Sequence, residues 1–171
     1  MRYGLRVPAS RFPQTIAISR RFSNLDAVPN QCFAQHPLEL PEGAAHSAAL
    51  NLLVIDNYNK IKLFVRSEII TNEPKIEIIK TDFNDLDNYN EDIKGDDCFF
   101  CIGTTKQNSP DKNEYQKVEL EIPKKIAEIA KINSVNSFIF ISSIYANPKS
   151  SGDYVKFKGL VEEELKKLNF S

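Results

Sequence analysis

Phe138-Ile-Phe-Ile-Ser-Ser143, followed after a polar loop by Tyr154-Val-Lys-Phe-Lys158, is the stretch that decides the fold. Four apolar residues in a row read as a strand buried on both faces, the pattern of a parallel sheet covered by helices. The segment from Gly152 to Leu168 reads as a helix whose buried stripe is Leu160, Val161, Leu165 and Leu168. Inside a helix, four-residue spacing puts Tyr154 and Lys158 on one face, a turn apart.

Working outward, the chain alternates strands with helices. Lys60–Arg66 and Lys75–Lys80 read as strands, separated by Pro74. Asn84–Lys94 reads as a short polar helix ending at Gly95, and Asp97–Ile102 as another buried strand. Asn113–Asn133 is a long helix that Pro123 must kink or restart, because proline removes an N–H donor. Ser137–Ser142 is the last strand, and residues 48–57 suit the final turns of a buried helix. The fold class is α/β, a doubly wound parallel sheet with helices on both faces. Such a sheet opens with a strand before its first helix. Gln14-Thr-Ile-Ala-Ile-Ser19 is the only candidate, and it lies about thirty residues too far upstream. The expectation is an incomplete sheet, its first and last strands missing or substituted.

At 171 residues the chain has room for one domain with a real core. A net charge of −1 gives no basis for binding nucleic acid or an anionic membrane. Runs such as Leu50-Asn-Leu-Leu-Val-Ile55 are too short to cross a bilayer. Three cysteines, an odd number, do not suggest a disulfide framework and point to a reducing compartment, the cytoplasm. Composition breaks near residue 50: Arg2, Arg6, Arg11, Arg20 and Arg21 precede it, whereas every lysine lies at Lys60 or later. We divide the chain into an atypical segment, 1–48, poorly ordered or foreign, and a partial domain, 49–171. Residues 1–25 carry no acid, and Arg20-Arg21-Phe22-Ser23 resembles a presequence cleavage neighbourhood, which makes the mitochondrion the alternative compartment. Pro8 and Pro13 interrupt any amphipathic helix there.

Tyr-x-x-x-Lys occurs three times, and geometry separates the copies. Tyr58/Lys62 runs into a strand and Tyr145/Lys149 contains Pro148; only Tyr154/Lys158 is followed by helical sequence. An ammonium beside a phenol stabilises the phenolate, lowering a pKa of about 10. Tyr154 then acts as general acid towards a carbonyl oxygen or general base towards a hydroxyl. Ser143, at the end of the preceding strand, would orient that oxygen. The plainer alternative is a Tyr and a Lys on the exposed face of a terminal helix. Cys98 and Cys101, three apart on a strand, point to opposite faces and cannot share a metal or a disulfide. His36 and His46 are assigned no role, and no metal site is expected. Gly103-Thr104, directly after a strand, is either a close backbone approach to a ligand or an ordinary turn. Arg66 can pair with a ribose 2′-phosphate, and Asp82 can accept from an adenine amino group or cap the helix near Asn84.

Taken together, Leu63-Phe-Val-Arg66, Asp82-Phe83, Cys101-Ile-Gly-Thr-Thr105, Phe140-Ile-Ser-Ser143-Ile-Tyr-Ala146 and Tyr154-Val-Lys-Phe-Lys-Gly-Leu-Val-Glu162 resemble the atypical short-chain dehydrogenase/reductases, most closely those related to the Tat-interacting protein. The resemblance covers about residues 49–170. It implies a Rossmann-like fold and an NAD(P)H-dependent oxidoreductase that prefers NADP(H), with NAD(H) possible, acting on a small carbonyl or alcohol. It implies Ser143, Tyr154 and Lys158 as catalytic residues, and Arg66, Asp82, Phe83, Cys101, Gly103, Thr104 and Lys158 as dinucleotide contacts. The chain departs from the family where the pyrophosphate should bind: residues 1–48 hold only Gly4 and Gly43, too few for a G-x-x-G-x-x-G turn. We therefore expect an incomplete form that binds dinucleotide weakly. The alternatives are a non-catalytic NAD(P)-binding or regulatory module, or a chimeric or truncated product without activity.

Overall fold

Gln14–Ile18 (β1), Lys60–Val65 (β2), Ile76–Lys80 (β3), Asp97–Phe100 (β4) and Ser137–Phe140 (β5) make one five-stranded sheet in the computed structural model. That structure describes residues 14–18, 58–66, 74–104 and 106–170, the first of these segments as backbone. The strands run in the order β3-β2-β1-β4-β5 and every pairing is parallel. This is the order of a doubly wound, Rossmann-like sheet.

The central strand corrects the sequence reading. Gln14–Ser19 lay too far upstream to count as the opening strand, yet residues 14–18 pair with β2 on one side and β4 on the other. Thr15-Ile16-Ala17-Ile18 is rich in β-branched residues, which suit a doubly paired strand. Closing a longer loop costs little, about 0.6 kcal/mol per doubling of its length. Pairing on both edges outweighs that, so sequence distance was the wrong criterion. The helix expected over residues 48–57, and the place where a glycine-rich turn would stand, lie outside the described residues.

Side chains alternate across β2 and build a core on each face. Phe64 joins Cys98, Phe100, Ile126 and Ile129 on one side. Ile61, Leu63 and Val65 pack with Ile76, Ile78 and Phe99 on the other. The first of these cores is covered by a long helical stretch. It comprises Lys112–Gln116 (α1), a π-helical turn over Lys117–Glu121, and Ile122–Ile132 (α2). Asp111 caps its start, accepting from the N–H groups of Asn113 and Glu114. Pro123 restarts the helix as expected: it sits in the first turn of α2, and the wide turn just before it closes through the Ile122 N–H on the Lys117 carbonyl.

The polar helix expected over Asn84–Lys94 is instead a single 3₁₀ turn, Leu86–Tyr89, followed by further turns. Its Asp and Asn side chains bond locally, Asp82 accepting from the Asn84 N–H and Asp85 from the Asn88 amide. Such bonds compete with helix formation. Leu86 and Ile93 still anchor the segment in the core.

Asp153–Leu168 (α3) follows β5 and runs where the sequence places it. Gly159 is buried against the preceding loop; a Cβ there would lie 2.4 Å from the Pro148 nitrogen and 2.6 Å from the Asn147 carbonyl carbon. Alanine at a helix interior normally gains about 1 kcal/mol over glycine. Overpacking against backbone costs about 1–3 kcal/mol. Gly159→Ala is therefore expected to lower the urea midpoint despite its better helix propensity. Gly152→Ala meets no clash, its nearest side-chain atom lying 3.6 Å away, but Gly152 caps the start of α3, where alanine is poorer than glycine, so a smaller loss of stability, about 0.5 kcal/mol, is expected.

Candidate functional site

Because all strands are parallel and in register, their carboxyl ends form one edge: Ile18 lies opposite Phe64 and Phe100, and Phe100 opposite Phe140. In doubly wound sheets ligands bind outside that edge, where the strand order reverses. A pocket of about 450 Å³ opens at the carboxyl ends of β4 and β5. Cys101, Gly103 and Thr104 line it from the loop after β4, Ile141 from the end of β5, and Tyr154 and Lys158 from α3. Five of the residues singled out in the sequence thus share one wall-to-wall space.

The other predicted residues fall elsewhere. Arg66 and Phe83 meet at the ends of β2 and β3, the guanidinium 5.9 Å from the ring centroid. Phe83 is buried with a φ of 60°, a left-handed conformation that a bulky residue rarely adopts. Its N–H donates to the Thr81 hydroxyl at 3.0 Å. Asp82 is exposed and bound to Asn84, whose backbone N–H holds its carboxyl below the usual range. It stabilises a turn rather than a helix start. These three residues do not line the 450 Å³ pocket. Ser143 does not line it either; it is half-buried in the turn after β5, its carbonyl accepting from the Ala146 N–H. The expected Ser143/Tyr154/Lys158 triplet is therefore a Tyr/Lys pair with Ser143 set aside.

The Tyr58/Lys62 copy of the motif is structural. Tyr58 donates to Asp97 at 2.7 Å, while Lys62 donates to the Asp92 carbonyl, so that pair never meets. Cys98 is fully buried among hydrophobes, and burial pushes both thiols up, keeping them protonated. No described glycine has a positive φ, so Gly103 is not there for a left-handed turn.

Within the pocket, the sequence reading missed Glu119. It stands in the π turn at 1% exposure, accepts the Thr104 N–H at 2.5 Å, and faces the Lys158 ammonium at 3.1 Å. The signal was available: Glu119 lies on the same stripe as Ile122, Ile126 and Ile129, and a carboxylate at a core position demands a partner. Lys158 is itself 4% exposed, its ammonium 4.6 Å from the Phe140 ring centroid and 5.6 Å from that of Tyr154.

This changes the electrostatics expected of Tyr154. The phenol is held above its usual pKa, first by burial and then by the Glu119 charge. Tyr115, on the same wall, is pushed up to about 12 by burial and by Glu119. The shift runs opposite to the lowering expected from Lys158, because burial and the Glu119 charge both disfavour the phenolate. A raised phenol keeps its proton below pH 10, so at neutral pH Tyr154 is a proton donor. An ultraviolet difference titration of the wild type against Tyr154→Phe should show that phenol ionising only above pH 10; ionisation near neutrality would contradict this electrostatic balance.

No family model matches the chain. It is 30% identical over 117 residues to rat HTATIP2, covering 66% of this chain and 48% of that protein. It is 28% identical over 116 residues to "Protein FMP52, mitochondrial" of Eremothecium gossypii, covering 67% of this chain and 51% of that one. Among solved structures, the Bordetella bronchiseptica enzyme WbmG in complex with NAD superposes with a TM-score of 0.63 at 10% identity, covering 96% of this chain and 53% of that one. The chain spans about half the length of these curated relatives. The resemblance to the atypical short-chain dehydrogenase/reductases, and to the Tat-interacting protein in particular, is borne out, as is the Rossmann-like fold.

Proposed function

We propose that this chain carries the nicotinamide half of an NAD(P)H-dependent oxidoreductase site that acts on a small carbonyl or alcohol. The observation that carries the reading is the shared pocket of Gly103, Thr104, Tyr154 and Lys158 at the carboxyl edge of a parallel sheet. The likeness to an enzyme solved with NAD supports it. A pocket of about 450 Å³ suits the nicotinamide riboside end of a dinucleotide and a small substrate, but not a whole dinucleotide.

The residues present fit that end of the cofactor. Gly103 offers backbone without a side chain, and Lys158 offers a buried cation with ammonium donors for ribose hydroxyls. When bound, the cofactor supplies hydride to a carbonyl carbon or takes it from an alcohol. Tyr154, held as a phenol, gives its proton to the carbonyl oxygen as hydride reaches the carbonyl carbon. Arg66, Asp82 and Phe83, on the far side of β1, would meet the adenosine end, and an arginine there supports NADP(H) over NAD(H). Ser143 orients the oxygen only if the turn after β5 rearranges.

A second reading, a binding module without turnover, draws on one observation: Lys158 is already engaged by Glu119. For location, the relatives named mitochondrial support the mitochondrial alternative over the cytoplasm. Among the described residues no helix is long and apolar enough to cross a membrane.

NADPH titrated into labelled protein should shift the amide signals of Cys101–Thr104 and Lys158, with a dissociation constant weaker than about 10 μM. Lys158→Met in a Glu119→Gln background, which leaves no buried charge unmatched, should weaken that binding about tenfold relative to Glu119→Gln, the scale of one charge-assisted contact. Shifts confined to other residues would sink the assignment. Turnover abolished in Tyr154→Phe with binding intact would favour the enzyme over the module.

A further inference from the structure

We infer that Glu119 is a positioning residue of this site: one buried carboxylate holds the Lys158 ammonium with one oxygen and the backbone of the Gly103–Thr104 loop with the other. The inference rests on the reading of Tyr154 and Lys158 as the reacting pair, and it assigns that pair a third member from another element.

The geometry is that of a bracket. Oε1 accepts the Thr104 N–H, fixing the loop after β4. Oε2 stands 3.1 Å from Lys158 Nζ as an ion pair, without completing a hydrogen bond of good geometry to any described group. Both side chains are almost fully enclosed, 5% exposed for the lysine and 1% for the glutamate. Charges in such a place persist only when matched, because removing either leaves the other stranded away from water. The Thr104 hydroxyl is occupied by Ser109 at 3.0 Å, so the loop is pinned through backbone and side chain alike. Three segments far apart in sequence thus converge on one carboxylate.

The bracket also sets the local charge. The groups that face the ammonium and phenol are Glu119 from the π turn, Tyr115 from α1, Cys101 and Lys106 from the loop after β4, and Asp153 beside Tyr154 on α3. Lys106 and Asp153 answer each other at 3.4 Å. With Lys158 and Glu119 also matched, no net positive charge stands beside Tyr154. Burial first, and the Glu119 charge second, hold the phenol in its protonated form.

The test reads Tyr154 directly in protein labelled with [¹³Cζ]tyrosine, its resonance assigned by Tyr154→Phe. Glu119→Gln removes the charge but keeps the shape, and should raise the phenolate fraction of Tyr154 at a given alkaline pH on the order of tenfold. Glu119→Asp, which keeps the charge, should restore most of the wild-type titration. An unchanged Tyr154 titration in folded Glu119→Gln overturns the inference. If Glu119→Gln does not fold, Glu119→Gln with Lys158→Met removes both charges together. Recovery of the fold in that double variant supports the bracket, whereas continued unfolding makes Glu119 a core residue and overturns it. These readouts use protein without cofactor, so they stand apart from the NADPH titration, whose failure would sink the nicotinamide reading alone.

Discussion

Parallel pairing of Gln14–Ile18 on both of its edges is the constraint on which the rest depends. β2 and β3 form one pair of strands and β4 and β5 another, and among the described residues only β1 joins them. Its register sets Phe64, Phe100 and, through β4, Phe140 at one level. That level defines the edge where the loops emerge, and so the floor of the pocket. Take β1 away and two narrow ribbons remain, each with an open edge and too few strands to hold a twisted layer by itself.

On that floor the phenol of Tyr154 answers to burial and to a carboxylate as well as to the lysine. An isolated ammonium next to a phenol would favour phenolate. A matched ion pair next to a phenol favours the neutral acid, because burial opposes charge and nothing nearby compensates it. The same two residues on the same helix can thus serve opposite ends of a proton transfer, according to what stands behind the lysine.

Much of this was legible in the sequence, and the failures have physical causes. β2 through β5, the restart at Pro123 and the run of α3 followed from periodicity and proline chemistry, which act locally. Tyr154/Lys158 was separable from its two look-alikes because helical phase is local too. Three things were not legible. The role of Gln14–Ile18 depends on two long-range pairings that no local pattern encodes. The segment after Asp82 breaks into turns because its Asp and Asn side chains capture nearby donors. Ser143 misses the pocket because β5 ends at Phe140, leaving the serine in a turn rather than at a strand's tip. Glu119 was readable in principle, as a charge on an apolar stripe, but its partner came from a helix nearly forty residues on.

The wide turn at Lys117–Glu121 has a consequence for how this helix can vary. A π turn holds one residue more than its α-helical neighbours, and here it presents both Val118 and Glu119 inward. Excising a residue at that joint would leave an ordinary α-helix. Everything upstream would swing by about 100° around the axis and slide by about 1.5 Å. Ile122 to Ala130 would keep their seats against the sheet, while Tyr115 would be carried off the pocket wall. The helix is therefore built like a pipe with a threaded collar: its sheet-facing length is fixed, and the stretch beyond the collar can be re-aimed by a single codon gained or lost.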